Sequence, residues 1–518
     1  MTDAARNGAP AEQSPDADMA TLARGGRLNV FGFVLRLAGA APFLFIGGRV
    51  YGAAELGRFA YAVLVVEFAA QLAALGLRRG LAQLLANAKK PQASIVADAL
   101  LIAAIGSIIC MAILIAFPRA MYPTTRISGM DHLLAITVIA IAWTDIALAA
   151  LAYHHDVAST VRARSVVQPW TISIVAWIWS YISIDDGLII AYVFSMVAAL
   201  IVALIPLFRC YGMPHGWKPD LATAGRTAAR NVPLAAADAV EWASRRIDLA
   251  VLGAFMPATF VGIYYVAQQV ATLPAKLKTS FEPVLGPAIA RRIAAGDRAA
   301  VAKQVRQVTY WIIAAQAGIA LALGIPGRAV MSLVGSGFTG GTAMLGFLLA
   351  AEVIAAAAFV SEAALIFVAR TRNMIISLIM LAMEAGLAAV LILIMRSERF
   401  PQAYQATGPA IALCVALGFA SITKSLLLKR KLGAPVSGWR WSIAWAAAAA
   451  IIVGVPTRLF LPAMLQLVVG IPLILGAFGA VLWTKGFGPE DRELFKLRKK
   501  EIAELREAEF AAEARDRA

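Results

Sequence analysis

Hydrophobic residues fall along this chain in fourteen stretches broken by short polar segments, and roughly 20 consecutive apolar residues are what a helix needs to cross hydrocarbon. The pattern predicts spans at 28–50, 57–85, 95–117, 132–153, 165–184, 187–208, 232–256, 259–288, 308–326, 342–369, 373–395, 407–428, 440–460 and 463–484. A 60% share of hydrophobic residues, against 15% charged residues, exceeds what a water-soluble fold of 518 residues buries. The predicted fold class is therefore an all-α integral membrane protein with 14 transmembrane helices.

Charge sets its orientation. Of the 47 Lys and Arg, about 34 fall on the termini and even-numbered loops and about 8 on the odd-numbered loops, and cytoplasmic loops carry the excess of positive charge. Arg78, Arg79, Lys89 and Lys90, then Arg291, Arg292, Arg298, Lys303 and Arg306, then Lys429, Arg430 and Lys431 mark the cytoplasmic side. Both termini are expected in the cytoplasm. Orientation accounts for the net charge of +16, so no nucleic-acid partner is implied. Residues 1–20, rich in Ala, Pro, Asp and Gln, lack the basic start and apolar core of a cleavable signal and read as a disordered lead-in. Cys110, Cys210 and Cys414 stand far apart, which suggests neither a disulfide framework nor a metal site. His154, His155 and Asp156 at the mouth of span four read as an interfacial loop.

An internal repeat appears at an offset of 205 residues. Leu56-Gly57-Arg58-Phe59 opens span two as Val261-Gly262-Ile263-Tyr264 opens span eight, and Phe117-Pro118-Arg119-Ala120-Met121 is echoed by Ile325-Pro326-Gly327-Arg328-Ala329-Val330-Met331. Two parallel six-span lobes with a pseudo-two-fold axis along the membrane normal and a central cavity follow, which is an alternating-access design. The expected divisions are a disordered N-terminus at 1–24, an N-lobe at 25–208, a linker at 209–230, a C-lobe at 231–432, two extra spans at 433–484 and a charged helix at 485–518.

Ionisable residues within spans are costly, and they face an interior or a wet cavity. In span seven, Asp238, Glu241, Arg245 and Asp248 follow helical spacing onto one face, with Arg246 and Trp242 to the side. That stripe is either a neutralised joint between helices or a site. Span eight presents Tyr265, Gln269, Thr272, Lys276 and Thr279 along one face, and Pro274, Pro283 and Pro287 predict a kink or break in it. At 1.5 Å per residue, Arg36 lies roughly 13 Å from the cytoplasmic end, Glu241 and Arg245 roughly 15 and 20 Å, and Lys276 roughly 18 Å. These cations are expected to converge on one anion, Arg supplying a planar fork and Lys a point charge; snorkelling to the headgroups is the other reading of Arg36. Glu67 with Gln71, Asp145, Glu352, Glu362 and Glu384 are the remaining intramembrane acids, while Asp98 lies near the surface. Asp238, Asp248, Glu67, Glu352 and Glu384 are the candidates for Na⁺ or proton coupling. No cofactor and no metal are expected, and the absence of GxxxxGK[ST] argues against an ATP-driven pump in one chain.

Arg49-Val-Tyr-Gly-Ala-Ala-Glu-Leu-Gly-Arg-Phe-Ala-Tyr61, Leu75-Gly76-Leu77, and Ile247-Asp248-Leu249 through Val261-Gly262-Ile263-Tyr264 make the chain similar to the polysaccharide transport family of the multidrug/oligosaccharidyl-lipid/polysaccharide exporter superfamily. The resemblance covers nearly all of residues 24–484. It implies a flippase in the bacterial inner membrane that turns oligosaccharide units on undecaprenyl diphosphate from the cytoplasmic to the periplasmic leaflet. Cationic cavity residues would hold the diphosphate, and the partners would be membrane lipids, a polysaccharide polymerase and other assembly proteins. Related lipid II flippases carry an Arg in span one, the role that the resemblance gives Arg36, and two extra helices that shape a groove for the lipid tail. Two other readings stand beside it. A multidrug exporter of the same superfamily would have about twelve spans and an acidic cavity, and a polymerase or ligase would show a long periplasmic loop with Arg and His.

Overall fold

The computed structural model describes residues 38–488 except 88–89, 126, 128–129 and 215. The lead-in 1–24, Arg36 and residues 489–518 of the charged tail lie outside the described residues. Among the described residues all regular structure is helical. Span three is Gln92–Ala116, span four Leu133–Tyr153, span six Ile184–Tyr211, span nine Arg298–Gly324 and span ten Thr342–Val368. Span eleven is Arg370–Ser397, span twelve Gly408–Leu432 and span thirteen Trp441–Phe460, with span fourteen running from Ala463 to Gly486. Among the described residues ten stretches are long and apolar enough to cross a membrane, and one of them, Ala38–Ala86, contains the described part of span one together with span two. The fourteen-span pattern is completed by spans five, seven and eight, where charge or a broken helix interrupts the apolar run.

Three of the differences from expectation have a local reason. Span two ends at Ala73; Leu75 and Gly76 take positive φ (47° and 69°), and a separate helix, Leu77–Ala86, follows. Apolar residues continue across this break, which is why hydropathy reads through it. A Cβ on Gly76 would lie 2.6 Å from the Ala235 amide nitrogen, so the turn requires glycine for both its conformation and its space. Span five starts at Val157 rather than 165, capped by Asp156, whose carboxylate accepts from the Ser159 amide at 3.0 Å. It widens into a π turn at Val161–Val167 before continuing as Gln168–Trp179. The third correction concerns span eight, which is not broken: it runs as one helix over Ala258–Ala294. Pro274 keeps its carbonyl partnered, accepting from Gln316 Nε2 at 3.1 Å.

The chain forms two compact units. The first comprises residues up to Val266 with Val334–Phe338, and the second Ala267–Leu333 with everything from Thr339. This division by packing cuts within span eight and leaves span seven, Leu221–Phe255, in the first unit.

Within the first unit, span two packs on spans three, four and seven, and span six on spans four and five. Hydrocarbon offers no hydrophobic drive between helices, so close packing of small residues must hold them. Ala60, Ala62, Ala69, Ala70 and Ala73 accordingly fill the buried positions of span two. The closest approach joins the two copies of the repeat. A Cβ on Gly57 would lie 2.8 Å from the carbonyl carbon of Ala258, and one on Gly262 would lie 3.0 Å from that of Ala53. Ala258 stands to Ala53 as Gly262 stands to Gly57, so the contact is reciprocal, the signature of a local two-fold relation. Leu56, Phe59, Val261 and Tyr264 are all buried around it.

In the second unit, span ten packs on spans nine and twelve, and span eleven on span twelve. Spans thirteen and fourteen pack on each other and on span nine, where Gly318 admits Phe478; a Cβ there would lie 3.0 Å from the ring. Tyr310, Ile312, Val360, Leu428 and Ile474 belong to its continuous core.

Candidate functional site

The first unit carries its charges in three groups. At the Gly52 end of span two, Arg58 is 7% exposed, pairs with Glu55 at 3.0 Å, donates to the Asp185 carbonyl at 3.0 Å and forms an ion pair with the wholly buried Asp131. Its guanidinium also lies 5.2 Å from the Tyr122 ring centre. Burial, with the Asp131 carboxylate beside it, pushes the Tyr122 hydroxyl well above its ordinary range. Every charge here has a fixed protein partner, which is what a structural tie requires.

The second group lies near mid-span. Glu67 follows Gly52 by fifteen residues, roughly 22 Å along the axis, and Arg246 precedes Phe255 by nine, roughly 13 Å. Arg246 of span seven pairs with Glu67 of span two at 3.6 Å, and the Tyr192 hydroxyl stands 3.5 Å from the same carboxylate. Arg164 reaches Asp145 of span four and donates to Gln168 Oε1 at 3.2 Å. Glu67 and Tyr192 act electrostatically on Arg164, and Tyr265 acts on Arg246, so the two ion pairs form one network. The π turn carries Arg164; such turns recur at functional sites. Glu67 and Arg246 keep about a third of their side chains accessible, leaving room for a polar ligand to compete.

The third group sits at the Ala73 end. The Gly76 turn directs Leu77–Ala86 along span seven, where Arg79 Nε lies 2.7 Å from Asp238 and the same guanidinium bonds Glu241. Arg78 stands 3.8 Å from Asp238, and Arg245 donates to Glu241 at 2.9 Å. Glu241 is thus shared by two arginines. Asp238 is buried, whereas Arg78, Arg79, Glu241 and Arg245 are open, Arg245 being 71% exposed.

The face expected for span seven divides by burial along its length: Asp238 and Asp248 are buried, where they meet Arg79 and Tyr264 on other segments, while Glu241 and Arg245 are open and pair with each other. Asp248 accepts from the Tyr264 hydroxyl at 2.7 Å and from the Leu249 amide at 2.7 Å. Trp242 stacks on Phe68, ring centres 4.9 Å apart. Tyr265 is half-buried in the first unit; Gln269, half-buried, and Lys276, exposed, belong to the second. There Glu384 is buried on span eleven and Glu352 half-buried on span ten. Arg36 lies outside the described residues. The surface position assigned to Asp98 serves to hold the linker, since Trp217 Nε1 donates to its carboxylate at 2.8 Å.

Sequence reasoning passed over Arg164, Tyr192 and Lys424 and used Arg78 and Arg79 only as orientation charges. The Asp156-x-x-Ser159 cap was the available signal that span five begins early enough to contain Arg164. Partner choice between helices left no such signal.

The polysaccharide biosynthesis protein family model matches residues 48–322, more than half of the chain. Among curated proteins no sequence matches it. Three solved structures resemble the fold. The lipid II flippase MurJ in its inward closed conformation is 11% identical with a TM-score of 0.69, over 88% of this chain and 98% of that one. A multidrug resistance MATE family transporter of the MOP superfamily in its inward-facing conformation is 14% identical with a TM-score of 0.59, over 77% and 94%. A MOP superfamily transporter from Pyrococcus furiosus is 13% identical with a TM-score of 0.52, over 81% and 96%. At these identities the likeness shows the fold alone, an all-helical, multi-span fold like that of these three structures. By the match across both lobes' first spans and most of the described helices of the first unit, the chain belongs to the polysaccharide biosynthesis protein family.

Proposed function

We propose that the protein is a flippase that moves oligosaccharide units on undecaprenyl diphosphate from the cytoplasmic to the periplasmic leaflet of the bacterial inner membrane by alternating access, with both termini cytoplasmic. It acts by conformational exchange rather than catalysis, drives the exchange with a Na⁺ or proton gradient, and works beside a polysaccharide polymerase and other assembly proteins.

The observation that carries this reading is the group of three accessible arginines, Arg78, Arg79 and Arg245, gathered around Asp238 and Glu241 at the end of span two assigned to the cytoplasm. Arginine donates in a planar fork that fits phosphate oxygens, and a diphosphate carries enough charge to displace a shared carboxylate. Membership in a polysaccharide biosynthesis family and a fold like that of a lipid II flippase support the same cargo class. A drug-exporter reading needs an unbalanced acid for an organic cation. Here Glu67, Asp145 and Glu241 each face an arginine, which favours an anionic cargo.

Deletion of the gene tests the proposal. Lipid-linked oligosaccharide is expected to accumulate on the cytoplasmic leaflet while surface polymer disappears; normal polymer with unaltered lipid intermediates would refute it. Cysteine labelling at Gly296 tests the orientation, which a reactive periplasmic cysteine would overturn.

A further inference from the structure

Where span thirteen begins and span fourteen ends, tryptophan and basic residues collect on a rim for which the chain supplies no acid. Between Glu398 and Glu490 the sequence holds neither Asp nor Glu. Lys429, Arg430 and Lys431 close span twelve, Arg440 precedes span thirteen and Lys485 lies at the end of span fourteen. Leu428, Leu432, Ile443 and Leu482 belong with Tyr310 of span nine to one buried cluster, so these chain ends lie side by side. Arg440 fixes the join: its guanidinium lies 3.9 Å from the Tyr310 ring centre and donates to the Gly486 carbonyl at 2.9 Å. Gly438 lets the segment press on span nine, since a Cβ there would lie 2.7 Å from the Arg306 carbonyl oxygen.

Around this join four of the eleven tryptophans stand exposed: Trp439, Trp441, Trp445 and Trp483. Trp439 and Trp441 meet edge to face with ring centres 6.4 Å apart, and Trp483 packs on Phe487 at 6.1 Å. Trp441 and Trp445 are one turn apart on span thirteen, so both present to the same side. Indole rings so gathered suit the level of lipid headgroups, where the ring is covered by acyl chain and its N–H meets a polar group. Lys429, Arg430, Lys431 and Lys485 are exposed on the same segments. Other basic residues of the chain meet carboxylates, as Arg79 meets Asp238 and Lys90 meets Asp98; deeper in span twelve, Lys424 meets Glu362 at 2.8 Å. The rim cations have no acid in their own segment. Residues 489–518 carry almost as many basic as acidic side chains, so they bring little net charge to answer it. Lipid is what faces exposed indoles at a membrane surface, and an anionic headgroup complements the charge beside them.

We propose that the rim formed by the end of span twelve, the start of span thirteen and the end of span fourteen binds an anionic phospholipid, with its phosphate among the basic side chains and its upper acyl chain against the tryptophans. The site is independent of the cargo.

The test uses the purified full chain in phosphatidylcholine bilayers without cargo. Tryptophan fluorescence is titrated with phosphatidylglycerol brominated near the headgroup end of one acyl chain, and separately with phosphatidylcholine brominated at the same position; bromine quenches the indoles it touches. Association of the anionic lipid is expected to exceed that of the zwitterionic one roughly fivefold, the scale set by a basic residue near a charged surface. Lys431→Gln/Lys485→Gln should reduce that preference by roughly half or more, while Arg226→Gln/Arg230→Gln, which removes two exposed charges from span seven, should leave it unchanged. Changing Trp439, Trp441, Trp445 and Trp483 together to Phe should erase the preference by removing the indoles at the rim; all four are exposed, so the core is untouched. Equal association of the two lipids with the native chain would overturn the proposal. So would a preference that survives the lysine or the tryptophan changes, or one that falls as far with the span-seven arginines.

Discussion

The two ends of span two carry ion pairs of similar composition in opposite settings. At the Gly52 end, Arg58 and Asp131 are enclosed and anchored further by Glu55, the Asp185 carbonyl and the Tyr122 ring. At the Ala73 end, Arg79, Glu241 and Arg245 are 42–71% exposed around one buried acid, Asp238. Enclosure makes a pair expensive to break and closed to any competitor, whereas exposure makes it cheap and open to exchange. The difference teaches that accessibility, rather than the presence of opposite charges, separates a brace from a place where cargo can compete.

The largest expected effect comes from breaking the enclosed pair. Arg58→Ala removes the cation that answers the buried Asp131 carboxylate and should cost about 3–5 kcal/mol, lowering folded protein in the membrane. Abundance and thermal midpoint measure it, and Arg58→Ala with Asp131→Asn should recover most of the loss. Normal abundance of the single variant would erase the contrast between the ends. Gly76→Ala should follow, since a side chain at φ 69° costs about 1–2 kcal/mol before its contact with Ala235 is counted. It misdirects Arg78 and Arg79 without changing a charge, so polymer export should fall more than abundance does.

Arg79→Ala removes the nearer partner of Asp238 but leaves Arg78 within reach, and the expected cost is about 1–3 kcal/mol. Asp238→Asn in the same chain should restore abundance and leave export impaired. The smallest effect on stability belongs to Arg245→Ala, within about 0.5 kcal/mol because the pair is exposed. Export should nonetheless be abolished, with Arg245→Lys restoring part of it. Full export by Arg245→Ala with Glu241→Ala would reduce that pair to a surface contact and remove Arg245 from the site.

These contrasts were only partly legible in the sequence. Spans such as 92–116 and 133–153 lie where hydropathy puts them, because long apolar runs have no alternative to a membrane helix. Gly57 and Gly262 were visible as the repeat, and their reciprocal contact gives the offset a physical meaning. Span five was misplaced because Arg162 and Arg164 resemble loop residues until Asp145 is seen to receive one of them. The Gly76 break lies in the backbone, within a run whose apolar residues continue on both sides. Spacing along span seven puts its four charges on one face but sees one helix at a time, so the partners Arg79 and Tyr264, which go with the burial of Asp238 and Asp248, were not legible.

The glycine contact also bears on ancestry. Two separate copies of one segment meeting about a dyad make each contact twice, so every substitution near the axis counts double and a charge would face its own image. Fusion into one chain lifts that constraint. The residue after the first glycine is Arg58 and the residue after the second is Ile263, both buried. An enclosed arginine answered by Glu55 and Asp131 is therefore affordable on one side only, and the brace at the Gly52 end is an asymmetry that a symmetric dimer of identical chains would have had to satisfy twice.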